Sequence, residues 1–269
     1  NALLPDVIAM TITVIRDTVV CLDANNEPLR DIILWLDKRT VDPNGAMPAK
    51  NMMLFKVAGM EPTAKVVYAA SVGNWIMRHE PEIWARTAKY VMLPTYLNYK
   101  LTGNLIDSAS NQIGHIPFDY KNRRWMKPGS LTRCFCDVPN EKLCDLVPSG
   151  TVIGTITEEV SALTGIPAGL PLISTGSDKG CETLGLAVVD SDKASISLGT
   201  TATIQFSTTE YVEPQQFLPA YPGVLNDHYN PEIEIYRGLW LLSWFVKEFG
   251  TADAIDAKEK GIAPEALLD

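Results

Sequence analysis

No apolar run in the 269 residues approaches the ~20 that a membrane-spanning helix needs, and no secretory signal is visible. Both absences make the cytoplasm the expected location. Metal-binding residue types are sparse. His79, His115 and His228 lie far in sequence from Cys134 and Cys136, whose spacing is not C-x-x-C, so no metal site is expected. With Cys21, Cys144 and Cys181 the cysteine count is odd, and the chain is too large to need disulfide staples, so reduced thiols are expected. Cations are in the minority, 23 Lys and Arg against 32 Asp and Glu, for a net charge of -9. That balance argues against nucleic acid or an anionic membrane as the main partner. It leaves phosphorylated small molecules open, because backbone amides and Mg²⁺ can carry phosphates without a lysine cluster. Gly-Gly occurs nowhere, and there is no low-complexity segment. With 46% hydrophobic and 20% charged residues, the composition suits a soluble chain of one large or two ordinary domains.

What is present is concentrated between Gly169 and Ile204, GLPLISTGSDKGCETLGLAVVDSDKASISLGTTATI. Leu170–Ile173 reads as a buried strand, with Asp178 at its carboxyl end. Cys181, Leu184 and Ala187 then follow at helical spacing. Strands are expected at Ala194–Leu198 and Ala202–Phe206, joined through Gly199-Thr200-Thr201. A carboxylate at a strand end can take a proton from a hydroxyl, while hairpin amides can hold phosphate, which is what phosphoryl transfer uses. An N-capping aspartate and an ordinary turn explain each feature alone. Their pairing favours the chemical reading.

Elsewhere, Ile8–Leu22 is a β-branched run interrupted by Arg16-Asp17. Buried charges need partners, and on a strand these two side chains would point to opposite faces. At least one is therefore expected to meet a ligand or another partner, and a bulge or strand end would let both do so. Ile32–Leu36 reads as a strand continuing into Trp35, Asp37 and Arg39, whose period of two would put them on one face. That face could line a hydroxyl-rich pocket, or be a strand-end salt bridge beside a core tryptophan. Helices are expected over Ala64–His79, over Thr95–Leu101 with Thr95 as cap, and over Glu158–Thr164 ended by Gly165. Gly150–Thr157 reads as hairpin-like, and Tyr211–Pro231 as a long loop. Asp107–Asn111 is a polar stretch that could reach a site. Leu239–Phe249 reads as an apolar helix whose aromatics belong to a core.

Four stretches, ITVIRDTVVCLDANNEPLRDIILWLDKR, LPTYLNYKLTGNLIDSAS, GTVIGTITEEVSALTGIPAGLPLISTGSDKG and ISLGTTATI, together resemble the FGGY family of carbohydrate kinases in order and spacing. The resemblance implies an α/β fold, an actin-like, ribonuclease-H-like pair of domains with sugar and ATP in the cleft between them. It implies an N-terminal sugar-binding domain over 1–187 and the start of an ATP-binding domain over 188–269. The family's catalytic base falls on Asp178, and its γ-phosphate loop on Gly199, Thr200 and Thr201. Substrate-binding positions fall on Arg16, Asp17 and Trp35, with Asp37 and Arg39 behind the tryptophan. Lys179 stands where the family often has glutamine, and a cation beside the base would suit a carboxylate-bearing sugar. ATP and Mg²⁺ are the implied cofactors and a small sugar or polyol the implied partner; a homodimer is compatible. The family's opening Asp-x-Gly-Thr hairpin and its glycine-pair adenine motif are missing, and members are considerably longer. The expected activity is ATP-dependent phosphorylation of a sugar or polyol hydroxyl, in a full-length parent if this is a partial chain. The alternative is a kinase-like module that binds sugar without turnover.

Overall fold

Apolar sequence becomes enclosed sheet in the first region of the protein. The structure, a computed structural model, describes residues 6–199 and 201–267. Val19–Leu22 is buried throughout and pairs antiparallel with Lys89–Met92. Around this ladder Ile76, Tyr90, Phe118, Val138 and Leu143 form the main core. Phe118 is fully enclosed, with Tyr120 and Trp125 meeting its ring edge to face at 5.2 and 5.3 Å. A second sheet sets Met10–Thr11 parallel to Pro171–Ile173, which pairs antiparallel with Val152–Thr155 on its other edge. Gly150–Thr157 is thus not a hairpin of its own; its strand borrows a partner from downstream. Ile106–Ser108 and Asp145–Val147 form a further parallel pair.

Local chemistry sets the helix ends. Thr157 Oγ1 accepts from the Val160 amide at 3.3 Å to start Glu158–Thr164, and Gly165, at φ 78°, ends it in the left-handed region. The helix expected over Ala64–His79 is two, Glu61–Ala70 and Val72–His79. Ser71 takes an extended conformation between them, and its Oγ accepts from the Asn74 amide. Thr95 does not cap its helix, which begins earlier as Leu93–Thr102; it is buried and donates to Asp107 at 2.8 Å. Ile32–Leu36 is not a strand. Ile33 makes one bridge to Val19, and Trp35 and Leu36 form a turn. Asp37 folds onto Arg39, accepting from its Nε at 2.8 Å, so no shared face with Trp35 arises.

The second region begins after Ala187, whose φ of 56° turns the chain out of the Asp178–Gly185 helix. Ala194–Leu198 and Ala202–Phe206 form as expected, and Glu232–Ile235 completes an antiparallel three-stranded sheet. The intervening loop folds back on the first region. Asn226 Nδ2 donates to the Ser149 carbonyl at 3.0 Å, and the Tyr229 hydroxyl to that of Lys121 at 2.6 Å. The apolar helix is present as Trp240–Phe249 but does not enter a core. Trp240, Trp244, Phe245 and Phe249 are each 44–68% exposed. No described helix is long and apolar enough to cross a membrane.

Candidate active site

Asp178 stands at the first position of its helix, just past the Pro171–Ile173 strand. The capping is done by its neighbour: Ser177 Oγ accepts from the Gly180 amide at 3.3 Å. This removes the simplest structural explanation for the aspartate. Its Oδ1 accepts from the Lys179 amide at 2.8 Å, and the side chain keeps 32% of its surface exposed, within reach of a solute. A carboxylate in the first helical turn is also favoured by the aligned peptide dipoles.

The Arg16-Asp17 interruption is a bend between Met10–Thr11 and Val19–Leu22 rather than part of a continuous strand. Asp17 adopts φ 47°, which frees both charged side chains from strand alternation. Arg16 Nε lies 3.7 Å from Asp178 Oδ1. Its two terminal nitrogens donate to the two oxygens of Glu232 at 3.0 and 2.9 Å, a bidentate pair. Burial opposes the guanidinium's charge, but Glu232, Tyr221 and Asp178 outweigh it and hold Arg16 firmly protonated. Asp17 is engaged separately. Its two oxygens accept from the His115 amide at 2.9 Å and meet the ring Nδ1 at 2.6 Å. A Cβ on Gly114 would fall 2.3 Å from Asp17 Oδ1, so only glycine allows this approach. Burial lowers the affinity of His115 for a proton, but the bond and charge of Asp17 prevail and raise it.

Lys179 reaches across to the second sheet. Its Nζ is 2.7 Å from Ser197 Oγ and 2.9 Å from Glu182 Oε2, which ties the start of the Asp178 helix to the strand entering the hairpin. Gly199 is uncrowded: an added Cβ would meet nothing nearer than the Thr201 carbonyl at 3.9 Å. Its amide donates to that carbonyl at 3.0 Å, and Thr201 adds a hydroxyl to the turn. Thr200 lies outside the described residues. The described Gly199 amide is thus already engaged within the turn. Among the described residues no three histidine, cysteine or acidic side chains converge as metal ligands.

Trp35 is not gathered in. It sits 38% exposed in its turn, while Arg39 behind it stacks on Trp75, 4.4 Å from the ring centre. Three residues that sequence reasoning did not single out belong to the site instead: Glu232, Gln205 and His115. Gln205 Nε2 donates to Glu232, and Thr183 Oγ1 lies 2.6 Å from Gln205 Oε1. Beneath the site, the polar Asp107–Asn111 stretch turns inward. Asp107 accepts from Thr95, Ser108, Asn111 and Gln112, and burial pushes its carboxyl up to about 6 against those bonds. Ser108 Oγ donates to the Thr175 carbonyl, and the Ser177 amide to that of Ser110 at 3.1 Å. This stretch thus anchors the loop that carries Asp178.

Comparisons with known proteins bear on the family and the fold. Residues 2–185 fit the model for the N-terminal domain of the FGGY family of carbohydrate kinases. The uncharacterized sugar kinase YgcE of Escherichia coli K12 is 33% identical over 175 residues, covering 65% of this chain and 35% of its own. Xylulose kinase of the same strain is 28% identical over 254 residues, covering 93% of this chain and 51% of its own. Among solved structures, ligand-bound xylulose kinase from Lactobacillus acidophilus superposes with a TM-score of 0.72 at 20% identity, covering 94% of this chain and 52% of that one. The chain spans about half the length of the xylulose kinases it matches, or less. The fold is the actin-like, ribonuclease-H-like α/β fold of these sugar kinases.

Proposed function

The chain belongs to the FGGY family of carbohydrate kinases, and we propose that it serves ATP-dependent phosphorylation of a hydroxyl on a small sugar or polyol, with Asp178 as general base. The observation that carries this reading is the meeting of Arg16 and Asp178 from distant parts of the chain, with Asp178 relieved of capping by Ser177. Residues 1–187 form the sugar side of the reading and 188–269 the start of the nucleotide side. The left-handed turn at Ala187 supports a boundary there.

Asp178 accepts the proton of the attacking hydroxyl as its oxygen becomes nucleophilic. Arg16 offers the N–H groups not spent on Glu232 to substrate oxygens, and Asp17, oriented by His115, accepts from a second hydroxyl. Lys179 keeps the base's helix against the strand that leads into the turn. ATP with Mg²⁺ would supply the phosphoryl group, and Gly199, Thr200 and Thr201 would be the residues that hold its phosphates. A cytoplasmic location belongs to the same reading.

The test is a thermal-shift screen of the full-length protein against sugars, polyols and sugar acids, with and without Mg-ATP. A ligand of the native state raises the melting temperature by mass action. The expected result is a hit among these compounds that Mg-ATP converts to a phosphorylated product. Binding of a sugar without any turnover would favour the non-catalytic module instead.

A further inference from the structure

The second sheet turns its polar side inward. Ser195, Thr203, Gln205 and Glu232 are each no more than 7% exposed, whereas Ile196, Leu198, Ile204, Ile233 and Ile235 on the other face are 43–65% exposed. Register makes the inward side chains a row, since Ser195 pairs with Gln205 and Gln205 with Glu232. Burying a polar row is costly unless every member finds a partner. Ser195, Gln205 and Glu232 take theirs from the site. Thr183, on the Asp178 helix, lies 3.3 Å from Ser195 Oγ and 2.6 Å from Gln205 Oε1; Gln205 donates to Glu232, and Glu232 takes the Arg16 guanidinium. Arg16 returns to Asp178 through Nε. The circuit closes on the candidate base.

We propose that Glu232 is a positioning and specificity-determining residue: by clamping Arg16 from the second sheet, it restricts the acceptor to neutral sugars and polyols and disfavours sugar acids. This deepens the kinase reading and rests on it. A guanidinium has five N–H donors in a fixed fork. Glu232 takes one from each terminal nitrogen and Nε faces Asp178, so the fork is held in one orientation with its charge already balanced. A substrate carboxylate would have to displace a carboxylate that is only 6% exposed, or sit unbalanced beside Glu232 and Asp178. The other cation beside the base offers no relief, because Lys179 is bound to Glu182 and Ser197. Asp17 adds another carboxylate, shared with His115. A neutral hydroxyl faces none of these penalties. It can accept from the remaining Arg16 donors and donate to Asp178 or Asp17. On this proposal Lys179 serves to hold the helix and not to receive an acidic sugar.

The experiment compares kcat/KM of the full-length protein for neutral ketoses and polyols with that for the matching aldonic acids, in the wild type, Glu232→Gln and Glu232→Asp. The wild type should prefer neutral acceptors. Glu232→Gln should lower kcat/KM on the best neutral acceptor and shift the acid-to-neutral ratio about tenfold towards the acid, as an unbalanced Arg16 becomes available. Glu232→Asp, which keeps the charge, should retain the neutral preference. An equal loss on both substrate classes in Glu232→Gln would show a merely structural role and overturn the proposal. If the variants do not fold, thermal shifts of the wild type still decide, because a larger shift with aldonic acids than with polyols overturns it. Turnover of sugar acids in preference to neutral sugars defeats this inference alone; no turnover of any carbohydrate defeats the kinase reading and this inference with it.

Discussion

The two regions of the molecule obey the same alternation rule with opposite outcomes. In the first, apolar side chains go inward: Val20, Leu22, Phe118 and Leu172 are all at or below 1% exposure. In the second, the sheet of Ala194–Leu198, Ala202–Phe206 and Glu232–Ile235 buries its polar side and leaves its isoleucines exposed. The difference teaches what each surface is for. The first region's sheets hold themselves together by hydrophobic burial. Among the described residues, the second sheet meets the first region through the Arg16–Glu232 ion pair and through the hydrogen bonds of Lys179 and Thr183 to Ser197, Ser195 and Gln205, all at the candidate site. Its apolar face and the helix Trp240–Phe249 both keep large apolar side chains exposed.

The comparison can be broken most easily at its strongest point. Phe118→Ala in the first core should cost about 3–5 kcal/mol, the usual price of emptying an aromatic site, measured by urea unfolding. A loss below about 1 kcal/mol would mean the core is not where the stability resides. On the second sheet, Ile204→Thr should change stability by no more than about 0.5 kcal/mol, since Ile204 is 43% exposed. A loss as large as that of Phe118→Ala would show that this face is covered in solution.

A smaller effect concerns the dyad of Asp17 and His115. The folded state raises the proton affinity of His115, so folding takes up a proton there and stability falls as pH rises. The dyad's contribution is complete below the unfolded histidine value of about 6.5 and is lost as pH climbs through the higher folded value. His115→Gln should therefore destabilise more at about pH 5.5 than at about pH 8.5, read from urea midpoints at each pH. A difference that does not vary with pH would mean that His115 binds its proton equally well folded and unfolded.

Much of this was legible in the sequence, for reasons that differ by element. Ala194–Leu198, Ala202–Phe206 and Glu158–Thr164 announce themselves through alternation or through caps. Arg16-Asp17 was visible because charge inside a β-branched run demands a partner. Ile32–Leu36 has the composition of a strand, but a strand needs a neighbour along its length, and only Ile33 finds one. The helix at Trp240–Phe249 was legible as a helix but not as an exposed one, because periodicity does not say what lies opposite. Glu232 could not be found locally: its partner is 216 residues away, and the EIEI alternation reads as an ordinary solvated strand. His115 was hidden for the same reason, as a lone loop histidine 98 residues from Asp17.

The proposed role of Asp178 as the base is tested most directly by Asp178→Asn in the full-length protein. The substitution keeps the shape of the side chain and removes its ability to take the proton. With the acceptor that the wild type phosphorylates best, single-turnover product formation should fall by about 10²–10⁴, the range assigned to general base catalysis, while acceptor binding measured by calorimetry stays within about threefold. Unchanged turnover in a variant that still binds the sugar would contradict the assignment.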